Sequence, residues 1–125
     1  MFRKLVYIAV FGVLGTFFRY WLSGAVQRLV GPGFPWGTWA ANILGCFLFG
    51  FVWVLAEERS LISSEMRVVL LVGFMGAFTT FSTYIFESAQ IAFDAQWARL
   101  AANLIGQNMA GFAGFILGMT LGRAL

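Results

Sequence analysis

Four hydroxyls fall within five residues in the stretch Thr79-Thr80-Phe81-Ser82-Thr83, which follows the small residues Gly73, Gly76 and Ala77 and runs on into Tyr84. Neutral amides stand at a distance from it, Asn42 upstream and Asn103, Gln107 and Asn108 downstream. Hydroxyls and amides donate hydrogen bonds without carrying charge. A phenyl ring is positive at its edge, so Phe81 and its neighbours can turn ring hydrogens toward an anion. Together these groups make a ladder suited to a small, strongly hydrogen-bonding anion. Lacking a fixed positive charge, the ladder binds weakly enough to release its ion. Arg19, several residues inside a helix end, is placed to draw such an ion from water. The glycines point the other way: Gly76 can adopt backbone angles that break a helix. Carbonyls exposed by a break suit a bare cation such as sodium and must otherwise be buried against protein.

The same residues have a plainer reading. A hydroxyl on a helix can bond back to the carbonyl four residues earlier and serve packing alone. On a continuous helix Thr79 and Thr83 share one face, Phe81 and Tyr84 share another, and Ser82 lies between. Residue chemistry therefore leaves two readings, an aromatic-lined polar route through a small oligomer and a set of packing contacts.

Other chemistries lack their reagents. The chain has no histidine and a single cysteine, Cys46, in an apolar segment, so neither a metal cluster nor an intrachain disulfide is expected. A proton-coupled pump would place a carboxylate at the centre of a span, and Glu87 lies off centre. The net charge of +3 includes no clustered basic patch of the kind that binds nucleic acid.

These residues must be held by elements that lie in lipid. Of 125 residues, 61% are hydrophobic and 10% charged, against about 25% charged in a soluble domain, so the chain cannot cover itself with water-compatible groups. Crossing about 30 Å of hydrocarbon takes roughly 20 helical residues, and four apolar runs satisfy this, approximately 5–27, 37–56, 68–93 and 100–122. The start resembles a signal peptide, but its run is long and contains Arg19, so it reads as a retained first span. The expected architecture is one all-α domain over 1–125, with four transmembrane helices and the third broken near its middle.

Four spans put both termini on one side with the loop 57–67. That side carries Arg3, Lys4, Arg59, Arg67 and Arg123, and the other carries Arg28 and Arg99. The bias favours cytoplasmic termini. It is modest enough to leave open dual topology, in which copies insert both ways and pair head to tail. A bundle this thin needs a second subunit to wall in any polar path. Small residues at four-residue spacing, Gly37, Ala41 and Gly45 and then Gly114, Gly118 and Gly122, support close helix contacts within or between subunits.

Three motifs, "GVLGTFFRYWL" at 12–22, "GTWAANILGCFLFG" at 37–50 and "GFMGAFTTFSTY" at 73–84 followed by Phe86-Glu87, resemble the Fluc fluoride channel family, also called CrcB, across essentially the whole chain. The resemblance implies a passive fluoride exporter of the bacterial cytoplasmic (inner) membrane. It implies an antiparallel homodimer with two pores and a structural sodium ion at its centre. By position, the sodium carbonyls fall on Gly76 and Thr79, the pore aromatics on Phe81 and residue 84, the pore amide on Asn42 and the vestibule arginine on Arg19. Thr80, Ser82 and Thr83 fall on the same pathway. The family ends the third motif in Phe, whereas residue 84 here is Tyr, whose hydroxyl either slows the ion or serves it as a donor. Asn103 and Gln107 match no family motif, and Asn108 is a pore candidate without one. On this reading Phe81→Ile depresses fluoride flux and leaves the dimer intact. Two other classes compete. A small multidrug exporter would need a carboxylate in its first span, which is absent, and a non-transporting assembly subunit leaves Asn42 and the hydroxyl run without a shared purpose.

Overall fold

The computed structural model describes all 125 residues. It is helical throughout, with four helices long and apolar enough to cross a membrane: α1 Phe2–Val30, α2 Trp36–Glu58, α3 Ser64–Phe93 and α4 Trp97–Ala124. Each expected span lies inside one of them and stops two to four residues short at most ends. Several charged groups of the extra turns pair with one another. Arg123 forks onto Glu58 at 2.6 and 2.8 Å, Arg3 reaches Glu65 at 3.2 Å, and Arg67 pairs with Glu57. These pairs gather both termini and the 57–67 loop at one end of the bundle.

Local chemistry sets the helix ends. Gly31 takes φ 104° beyond α1, a conformation natural to glycine. The turn that follows is stapled by Gln27, whose Nε2 donates to the carbonyls of Gly31 (2.6 Å) and Phe34 (3.0 Å) while its Oε1 accepts from Gly37 N–H (3.1 Å). Ser63 caps α3 by accepting from the amide of Met66.

Glycine lets the helices meet backbone to backbone. A Cβ at Gly118 would overlap the Phe47 carbonyl, one at Gly122 would come within 2.9 Å of the Val54 Cβ, and one at Gly114 within 3.2 Å of the Ile43 carbonyl. The glycine stripe of α4 is therefore filled by α2 of the same chain and is an internal seam. Across the bundle, Gly15 of α1 packs in the same way on the Phe74 carbonyl of α3. Only 21 of 125 residues are buried, and the exposed set is dominated by large apolar side chains, as lipid-facing helices require.

The α3 helix breaks near its middle, as expected, but not at the glycine. Gly76 is helical, with φ −61° and ψ −29°, whereas Thr79 (−86°, 160°) and Thr80 (−148°, 119°) are extended. Helix resumes at Phe81 and runs to Phe93. Gly76 is thus not the hinge. The break sits where its freed backbone groups find partners, and those lie on Thr80 itself and on α2.

Candidate functional site

The break is built from three side chains. Thr80 caps the second half of α3, its Oγ1 accepting from the amide of Thr83 (3.3 Å) and donating to the Thr83 hydroxyl (3.0 Å). Asn42 closes on Thr80 from α2: its Oδ1 accepts from Thr80 N–H at 2.7 Å and its Nδ2 donates to Thr80 C=O at 3.0 Å. One primary amide thereby replaces both helical partners of Thr80. Gly45 makes this approach possible, since a Cβ there would overlap the Thr79 methyl group. The Thr79 hydroxyl bonds back to the Met75 carbonyl (3.0 Å), the packing role open to any of the four hydroxyls.

Two cavities flank the break. The first, about 480 Å³, is lined by Asn42, Thr79, Thr80, Phe81, Tyr84 and Asn108 together with Gln107, Cys46 and the α4 face at Gly111 and Phe112. The second, about 460 Å³, holds Arg19, Thr80, Thr83 and Glu87 with Thr16, Gln27 and Thr38. Thr80 belongs to both. Thr79 and Thr83 consequently part company, one to each cavity, because the extended residues between them reset the helical phase. The pairing of Phe81 with Tyr84 survives, since both stand on the resumed helix with ring centroids 5.6 Å apart. Ser82 lines neither cavity; it is exposed and lies 3.4 Å from the Thr80 hydroxyl.

The Tyr84 hydroxyl is engaged. It accepts from Asn108 Nδ2 at 2.9 Å and donates to the Leu104 carbonyl at 3.3 Å, and the same Asn108 nitrogen reaches that carbonyl at 2.6 Å. The ring is 6% exposed, whereas Phe81 is 73% exposed. In the second cavity Glu87 accepts from the Thr38 hydroxyl at 2.7 Å, and its other oxygen is buried without a partner. Arg19 forms no ion pair.

Gly76 and Thr79 share a property that bears on a cation. The amide four residues after Gly76 is that of Thr80, taken by Asn42, and the amide four residues after Thr79 is that of Thr83, taken by Thr80. Neither carbonyl therefore receives its helical hydrogen bond. Unsatisfied carbonyl oxygens at a break in a membrane helix are the donor type that sodium takes, so the residues present fit that ion.

Sequence reasoning by motif left Asn103 and Gln107 without a role, and both are buried beside the site. Gln107 Oε1 accepts from Asn42 Nδ2 at 2.6 Å. Asn103 Oδ1 accepts from the Trp39 indole (2.7 Å) and from Gln107 Nε2 (3.2 Å), and its Nδ2 donates to Ser88 Oγ (2.9 Å). Their four-residue spacing on α4 was the available signal.

A family model described as CrcB-like protein, Camphor Resistance (CrcB) matches residues 6–119. The chain belongs to the CrcB family. Proteins named Fluoride-specific ion channel FluC from Nitrosococcus oceani and from Solidesulfovibrio magneticus are each 54% identical to this CrcB chain over 125 residues, covering 100% of both partners. A third protein of that name, from Geotalea uraniireducens, is 39% identical over 123 residues, 98% of this chain and 99% of its own. With four spanning helices, the CrcB chain is a multi-pass membrane protein of bacterial type.

Proposed function

We propose that this chain is a fluoride channel that lets fluoride leave the cytoplasm passively, along a route through the two cavities that meet at Thr80. The observation that carries the reading is full-length identity of 54% to proteins named Fluoride-specific ion channel FluC, joined to a broken helix with an amide- and aromatic-lined cavity on one side. A small anion entering this cavity leaves most of its water behind, and neutral donors and positive ring edges must replace it. Phe81 offers such an edge on the open side. Tyr84 offers its ring while its hydroxyl stays bonded to α4. Asn42 acts by holding the break in shape, because both of its amide protons are already committed to Thr80 and Gln107. Arg19 forms no ion pair and draws anions toward the second cavity, which it shares with Glu87. Asn108, Thr80 and Thr83 complete the polar groups of the two cavities, and Ser82 lies beside them, 3.4 Å from the Thr80 hydroxyl.

The working unit in this reading is an antiparallel homodimer with two routes. A single chain leaves Arg19, Glu87 and several hydroxyls lining an open cavity beside the break, where lipid cannot satisfy them, and a second copy supplies the missing wall. Sodium would sit on the Gly76 and Thr79 carbonyls of both copies, since two oxygens alone leave most of its shell empty. Bound there, it supplies fixed positive charge that locks the break and the subunit contact.

The test is growth. In a bacterium stripped of fluoride export, expression of this chain restores growth in fluoride-containing medium, and growth no better than with an inactive vector contradicts the reading.

A further inference from the structure

Two side chains that touch neither cavity are tied to the site by one continuous hydrogen-bonded chain. It starts at Trp39 Nε1 on α2, passes through Asn103 and Gln107 on α4, and ends at Asn42 on the break. Its two ends have no freedom of polarity. An indole nitrogen only donates, so Asn103 must turn Oδ1 to it and Nδ2 to Ser88. At the other end, Thr80 needs an acceptor for its N–H and a donor for its C=O, so Asn42 must turn Oδ1 to the first and Nδ2 to the second. The amide between them, Gln107, is left one orientation that satisfies both neighbours: Nε2 toward Asn103 and Oε1 toward Asn42.

The proton count gives this orientation a consequence at the cavity wall. Both protons of Asn42 are committed, and both of Asn108 are committed to Tyr84 and Leu104. Gln107 spends one of its two on Asn103. It is the cavity amide with an N–H to spare.

We infer that Trp39 and Asn103 are positioning residues for the ion route, which orient Gln107 and, through it, hold Asn42 on the helix break. The inference rests on the fluoride-channel reading for its functional consequence. Its geometry is independent of that reading. Local packing suits the role: a Cβ at Gly106 would come within 2.7 Å of the Trp39 ring, so α4 leaves room for the indole to reach Asn103.

The full-length chain reconstituted in liposomes provides the test, with fluoride efflux measured for Trp39→Phe, Asn103→Leu and the double variant. Loss of one buried hydrogen bond in the chain lowers efflux about tenfold in each single variant. Because both act through one chain, the double variant falls no further than the worse single one. Factors that multiply, to about a hundredfold, would mean two separate packing effects and overturn the inference, as would an unchanged Trp39→Phe. A second readout does not depend on transport or on Asn103→Leu assembling. The Trp39 indole N–H resonance, assigned by its loss in Trp39→Phe, shifts downfield in Gln107→Leu although Gln107 does not touch the indole, because both donate to Asn103 Oδ1 and removing one donor strengthens the hydrogen bond of the other. A stationary resonance overturns the relay. Absence of fluoride efflux from the wild type would instead overturn the channel reading and leave the resonance to decide the relay.

Discussion

Replacing Asn42 with alanine isolates the structural burden of the break. Three hydrogen bonds end on this amide, at 2.6, 2.7 and 3.0 Å. Alanine leaves Thr80 N–H and C=O without protein partners in a half-buried position, each costing about 1–2 kcal/mol, so the expected loss of stability is about 2–4 kcal/mol. The cost falls on the break, because no other side chain reaches Thr80 C=O. A loosened break also displaces Phe81 and Thr80, and a barrier raised by about 1.4 kcal/mol already slows transport tenfold. Unfolding by denaturant titration of the reconstituted protein, followed by helical circular dichroism, reads the first quantity, and fluoride efflux from the same liposomes reads the second. An Asn42→Ala protein with wild-type stability would refute the clamp, even with its efflux impaired, since Asn42 would then act on the ion directly.

Phe81→Ile removes the exposed ring edge and lowers fluoride efflux at least tenfold with an unchanged elution volume of the detergent-solubilised oligomer; unaltered efflux removes Phe81 from the route. Tyr84→Phe deletes a hydroxyl that faces α4, so efflux stays within about threefold of wild type while stability falls by about 1 kcal/mol, measured by the same titration. Gly118→Leu drives a side chain into the Phe47 carbonyl and destabilises the α2–α4 seam by about 3 kcal/mol, seen as a lowered unfolding midpoint. Purification and reconstitution with a large organic cation in place of sodium abolishes most efflux, and its return on adding sodium is followed with a fluoride electrode; full efflux without sodium contradicts an ion on Gly76 and Thr79.

The helices were legible in the sequence because lipid imposes a simple length rule on apolar runs. The break near the middle of the third span was legible, but its hinge was not. Gly76 marks where the backbone is permissive, but a helix breaks in hydrocarbon only where its freed groups are satisfied, and the group that satisfies them is Asn42, 38 residues away. Nothing local announces that contact. The same reason hid Asn103 and Gln107: their meaning lies in Trp39, Ser88 and Asn42, which reach them from other helices. Tyr84 looked from its motif like a departure at the pore, and only the position of Asn108 on α4 shows that its hydroxyl is occupied.

The most direct test of the account loads liposomes containing the purified chain with fluoride and, in parallel, with chloride, and follows efflux of each with ion-selective electrodes after the membrane potential is collapsed. Fast loss of fluoride with retention of chloride is the predicted result. Equal loss of both anions, or retention of both by a correctly assembled protein, would contradict it.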